Sequence, residues 1–155
     1  MGRRSTRVDK NIFQLSREQA GLTRQDAGDQ MGFVTEDRIE KIEDGKSAVR
    51  ADEVLAMAEC YHDATLCNRY CSQECPIGQL YIPAVRDKEL SQITLEILAS
   101  LNSLYKKRDR FVEIAAAEDI AEEDMTDFIA IGKELERFSM SVDSMKLWMR
   151  KKIRS

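Results

Sequence analysis

The chain has 155 residues, of which 43% are hydrophobic and 34% charged, with two prolines, seven glycines, four cysteines, one histidine and a net charge of −4. That composition suits one helical domain, or a small helical head with an extended tail, over a strand-and-turn fold. No apolar run approaches the ~20 residues that span a bilayer, and MGRRSTRVDK has no apolar stretch behind it, which excludes a secretory signal and makes the cytoplasm the expected compartment.

The negative charge runs against nucleic-acid binding, which usually shows a basic surplus. Here the basic residues cluster at the ends, as Arg3, Arg4 and Arg7 and as Lys146, Arg150, Lys151, Lys152 and Arg154, with acidic stretches between. One histidine and no glycine-rich phosphate loop leave no reaction to assign.

In chain order, residues 1–9 form a basic arm, able to lie along phosphates or in a minor groove. Residues 10–62 have the rhythm of a compact helical domain. A first amphipathic helix is predicted over Lys10–Ala20, with Ile12, Phe13 and Leu15 as its apolar residues, stopped by Gly21. Thr23 then caps a short helix from Arg24 to Met31 that ends at Gly32. Phe33 and Val34 are expected to pack inward, and Thr35 to cap a helix from Glu36 to Asp44 that buries Ile39 and Ile42. Beyond Gly45, residues Asp52–Cys60 make a further helix, with Val54, Leu55, Met57 and Ala58 available to the core.

The stretch GLTRQDAGDQMGFVTEDRIEKIEDGK resembles the lambda-repressor-like, XRE-type helix-turn-helix family. Gly21, Leu22, Thr23, Ala27, Met31, Gly32, Ile39, Ile42, Glu43, Gly45 and Lys46 fit its rhythm over about 55 residues. The resemblance implies a bacterial transcriptional regulator whose recognition helix enters the major groove. DNA contacts are then expected from Thr23, Arg24, Thr35, Glu36, Asp37, Arg38, Lys41 and Lys46. The departure is charge: residues 35–46 hold three basic and five acidic side chains. Carboxylates accept from cytosine N4 but repel phosphate. The alternative is a helix-turn-helix adaptor that has exchanged DNA for a protein partner.

Residues 63–86 read as a cysteine-rich connector. All four cysteines, Cys60, Cys67, Cys71 and Cys75, lie within sixteen residues, with His62 among them. Such a set suits zinc or, less readily, an iron–sulfur cluster, or free and reversibly oxidised thiols with no metal. On one straight helix Cys67 and Cys75 stand ~12 Å apart, too far to share an ion, so a shared metal requires a bend near Asn68–Glu74. His62 is a substitute ligand or simply a helix-end residue. The string LCNRYCSQECPIG also resembles a signature in uncharacterised bacterial helix-turn-helix proteins with helical tails.

Residues 87–155 predict a two-helix antiparallel hairpin or coiled coil, which makes the whole chain all-α. Leu80–Val85 reads as an extended connector packing on the cysteine segment. Asp87 or Ser91 is placed to cap a helix running to about Ala117, with Leu90, Ile93, Ile97, Leu101, Leu104 and Phe111 as its stripe. An acidic turn, Glu118–Asp127, follows. Phe128, Ile131, Leu135, Phe138, Val142, Met145 and Met149 then step by three and four, as a heptad seam does. That seam closes the hairpin, joins the same helix of a second chain in a homodimer, or does both.

Overall fold

The computed structural model describes residues 9–117 and 119–154, the side chain of Arg154 excepted. The basic arm with Arg3, Arg4 and Arg7, and Glu118 at the head of the acidic turn, lie outside the described residues. The described residues are helical and contain no strand, and they divide into two compact units, residues 1–84 and 85–155.

In the first unit, α1 (Ile12–Gln19), α2 (Arg24–Met31), α3 (Glu36–Glu43) and α4 (Ala51–Cys60) lie within a residue or two of their predicted places. Asn11, Thr23 and Thr35 cap the first three, each accepting the backbone N–H of the third residue on. Thr23 and Asp26 form a reciprocal capping box. Gly32 takes a φ of 74°, a left-handed conformation that glycine adopts without a Cβ penalty, and so turns the chain from α2 into α3. Ala27, Val34, Ile39, Ile42, Val54 and Met57 form the centre of the core.

Three apolar residues depart from expectation. Leu15 and Leu55 (61% exposed) face solvent, and so does Phe33 at 60%. On α1 the inward positions go to Phe13, Gln14, Ser16 and Arg17, because this face meets a polar network instead of hydrocarbon alone. Phe33 sits in the tight turn, where only Val34 is directed to the core.

The four cysteines lie in this unit. α5 (Leu66–Gln73) inserts Leu66, fully buried, into the same core as Tyr61, and Cys60, Cys67 and Tyr70 pack against it. The chain turns at Glu74–Cys75, and Pro76 opens α6 (Pro76–Tyr81). Proline at the first helical position has no N–H to lose and its φ is already helical, so Leu80 and Tyr81 are helical, not extended. Their side chains, with Ile77, stay exposed. Only Gly78 of α6 is buried. A Cβ there would lie 2.0 Å from the carbonyl oxygen of Cys71, so α6 touches α5 backbone to backbone.

The second unit is a hairpin of α7 (Leu90–Lys106) and α9 (Met125–Arg154), with α8 (Arg108–Ala116) and a 3-10 turn (Glu122–Asp124) between. The helix predicted to run to Ala117 breaks at Lys107 (φ −98°, ψ 0°). Lys106 and Lys107 suit the negative end of α7 and Asp109 the positive start of α8, so local charge favours two helices here. Glu89 stands at the start of α7 without a side-chain cap, and Asp87 instead pairs with Lys151. Ile93, Ser100, Ser141, Ser144 and Leu147 are buried along the hairpin. The buried hydroxyls of Ser141 and Ser144 donate to the carbonyls of Arg137 and Met140, each 3.0 Å away, which satisfies them inside their own helix. Arg110 ties α8 to the acidic turn and α9 through Asp124 and Asp127.

The predicted seam splits. The heptad row Ile131, Phe138, Met145 turns inward, while Phe128, Leu135 and Met149 of the other row stay 39%, 43% and 50% exposed. The expected stripe of the preceding helices behaves alike, with Leu101 of α7 and Phe111 of α8 exposed.

Candidate nucleic-acid interface

α2 and α3 cross closely, since a Cβ on Gly28 would meet the backbone N–H of Glu36 at 3.0 Å. The start of α3 is thereby held against α2, with Thr35 as its cap, half of the geometry a groove-reading helix needs. The outward side of α3 carries Glu36, Asp37, Glu40 and Lys41.

Two of the expected contact residues are committed inside the protein. Arg24 donates to Glu43 (2.8 Å) and Glu40 (3.0 Å). Arg38 donates to both oxygens of Glu53 (2.7 and 2.8 Å) and to the carbonyl of Ala48 (2.8 Å), tying α3 to α4. Hydrogen bonds from Arg38 hold the Glu53 carboxyl below its ordinary range against the opposing effect of burial. Lys46 pairs with Asp44 at 2.8 Å. Thr23 donates its hydroxyl to Asp26 (2.6 Å). Glu36, Asp37 and Lys41 project to solvent. Two arginines of the motif thus act first as positioning groups for α3, and the outward face is more acidic than the count of its basic residues suggests.

Beneath this surface lies a buried charge network. The side chain of Glu43 is fully buried and accepts from Arg17 Nε (2.6 Å) and Nη2 (3.0 Å) as well as from Arg24. Arg17 also donates to the carbonyl of Leu22 (2.7 Å). Sequence periodicity misses this group because it expects leucines inward. The signal available was the fit of Glu43 to the family rhythm at a position with no contact role.

A second polar cluster fastens the cysteine segment to α1. Asp63 accepts from the hydroxyl of Ser16, the guanidinium of Arg69, and the backbone N–H (2.9 Å) and hydroxyl (2.6 Å) of Thr65. Burial alone would raise its pKa, but these hydrogen bonds outweigh it and hold the carboxyl below its ordinary value. A depressed folded-state pKa contributes stability that is present above the unfolded value of ~3.9 and lost as pH falls through the folded one. The melting temperature should therefore fall as pH drops below about 4, and Asp63→Asn should flatten that part of the curve. Parallel wild-type and mutant profiles below pH 4 would refute the assignment.

The cysteines are spread over α4, α5 and the turn before α6. Cys60, at the end of α4, points its thiol toward Gln30 Oε1 at 3.6 Å on α2, and burial pushes its pKa up. Cys67 and Cys71 lie on α5 and Cys75 precedes α6, and all four are half-buried and outside any disulfide. His62 closes α4 in a left-handed conformation (φ 52°) and is exposed, a helix-end residue. Among the described residues no group of three or more histidine, cysteine or carboxylate side chains is disposed to hold a metal ion. The chain does bend within the stretch where a shared metal would require it, at Glu74, but the bend is closed by Gly78 on Cys71.

Residues 13–62 match the family model of a helix-turn-helix domain, spanning α1 to the end of α4. The chain thus carries an N-terminal domain of this class, and its described residues end in a long C-terminal helix. Comparison with curated proteins and with solved structures finds no match. Among the described residues no helix is long and apolar enough to cross a membrane.

Proposed function

We propose that the protein is a cytoplasmic, sequence-specific DNA-binding transcriptional regulator of the XRE type. The observation that carries this reading is the capped α3, held across α2 at Gly28, within a domain that matches the helix-turn-helix model. In this reading Thr35 and Lys41 at α3 and Thr23 at α2 meet the duplex first. Glu36 and Asp37 select cytosine, Lys46 meets phosphate, and Arg24 and Arg38 orient the helix. Two copies joined through their C-terminal helices supply two heads.

Affinity for a selected duplex should then fall steeply with salt through counterion release. Lys41→Ala should weaken binding and reduce the log–log salt slope by about 1. Fluorescence anisotropy across a salt series reads both. No binding at low salt would sink the DNA reading.

A specific observation favours a second reading, a protein adaptor. Glu36, Asp37 and Glu40 face outward while Arg24 and Arg38 are neutralised by Glu43, Glu40 and Glu53. Such a face suits a basic partner, and the same salt series separates the two.

The cysteines are read as a tuning site. With α5 packed on the core, oxidation or a thiophilic metal such as zinc, or an iron–sulfur cluster, at Cys67, Cys71 or Cys75 acts by moving α5 or α6, and α6 is the looser of the two. Cysteine-to-serine variants that bind DNA identically under oxidising, reducing and metal-free conditions would remove this tuning role.

A further inference from the structure

The hairpin of the second unit leaves half of a repeating apolar pattern unused. Phe128, Leu135, Val142 and Met149 recur at every seventh residue of α9. Three of them are 39–50% exposed and Val142 is half-buried. Leu98, Leu101 and Tyr105 of α7 are also exposed. Meanwhile the buried apolar side chains among the described residues of the unit are Ile93, Ile114, Ile131 and Leu147, against ten in the core of the first unit. An antiparallel helix pair with so small a core is half of a bundle.

We infer that this face is covered by the same face of a second copy, and that the two α9 helices run antiparallel. The inference deepens the two-copy reading above and is independent of what the heads bind. Size supports it. A face ~45 Å long on α9 and ~25 Å long on α7, each ~10 Å wide, offers roughly 700 Å², close to the ~800 Å² per partner of a stable interface. Charge chooses the partner and the direction. Residues 122–138 carry six acidic and two basic side chains, while residues 139–154 carry one acidic and five basic. Arg110 holds Asp124 and Asp127, and Lys151 pairs with Asp87, which still leaves Glu122, Glu123 and Glu136 facing solvent on one half and Arg150 on the other. Parallel copies would set like halves together, whereas antiparallel copies set acidic against basic. The side chains also fit, because Phe128 then meets Met149 of the partner subunit, a sulfur–aromatic contact, and Leu135 meets the partner's Val142.

The test uses the full chain in two steps. Light scattering should give a dimer at micromolar concentration, and Leu135→Glu should raise its dissociation constant at least ~100-fold, since two carboxylates would enter an apolar seam. Leu135 is exposed in the single chain, so its circular dichroism should persist; Met149→Glu gives the same reading should Leu135→Glu lose helix. Next, benzoylphenylalanine at position 128 should photo-crosslink to the peptide around Met149. The two positions are ~31 Å apart on one helix, so that link can form only between copies. A monomer at tens of micromolar, a dimer indifferent to both glutamates, or a 128-to-128 link would each overturn the proposal. Loss of DNA binding with the dimer intact would count against the heads alone.

Discussion

Glu43→Ala should destabilise the first unit by about 3–5 kcal/mol, the largest effect expected of any single polar substitution here. The carboxylate has no exposure and takes three charge-assisted hydrogen bonds, two from Arg17 and one from Arg24. Its removal leaves the Arg17 guanidinium, itself 9% exposed, as a buried charge that keeps only the carbonyl of Leu22. Most of the loss comes from that stranded cation, not from the bonds themselves. The double replacement Arg17→Met with Glu43→Leu should therefore recover much of it, since both charges leave together. Against a typical domain stability of 5–15 kcal/mol, a loss of that size removes a large fraction of the total. Urea denaturation of the two variants decides the matter. A single variant within 1 kcal/mol of wild type would show that the network is incidental. The network spans α1, α2 and α3, so it also fixes the angle at which α3 is presented, and the double variant should fold while presenting that helix less rigidly.

What sequence made visible and what it concealed follow from the range of the interactions. Caps and stops are local. Thr23, Thr35 and the glycines at 21, 32 and 45 announce themselves within four residues, and α2 to α4 emerged close to their predicted bounds. Which face of a helix turns inward is a tertiary matter. The expectation that Leu15 packs inside failed because α1 gives its inward face to Gln14, Ser16 and Arg17, of which Arg17 and Ser16 serve partners 26 and 47 residues away. The seam on α9 was legible as a period of seven, but a period does not say how many neighbours a helix has. One row found α7 and the other did not. The site was less legible still. Thr35 and Lys41 could be placed from the family rhythm, but the engagement of Arg38 by Glu53 depends on α4 lying beside α3. The packing of the cysteine segment was hidden for the same reason: Leu66 looks unremarkable in sequence and is fully buried in the fold.

Gly78→Ala is the second large effect, and it bears on the cysteines directly. An alanine Cβ would lie 2.0 Å from the carbonyl oxygen of Cys71 and 2.6 Å from its carbonyl carbon, and backbone atoms cannot yield as a side-chain tip can. Overpacking of this kind costs about 1–3 kcal/mol, and more where nothing relaxes. Relaxation has one easy direction. α5 is anchored by Leu66 in the core and by Arg69 on Asp63, whereas Ile77, Leu80 and Tyr81 of α6 are exposed and hold it weakly. The substitution should therefore detach α6 and leave α5 in place. Amide exchange should accelerate at Gln79 and Ile82, whose N–H groups donate to Cys75 and Gly78, and remain slow at Tyr61, at the core end of α4. Reaction of Cys71 and Cys75 with a thiol reagent should quicken while that of Cys60, whose thiol faces α2, should not. If thiol chemistry tunes this protein by displacing α6, Gly78→Ala should imitate the modified state and leave DNA affinity indifferent to oxidant. Unchanged exchange at residues 79 and 82 would show instead that α6 adapts in place, and the link from thiol to head would then have to run through α5.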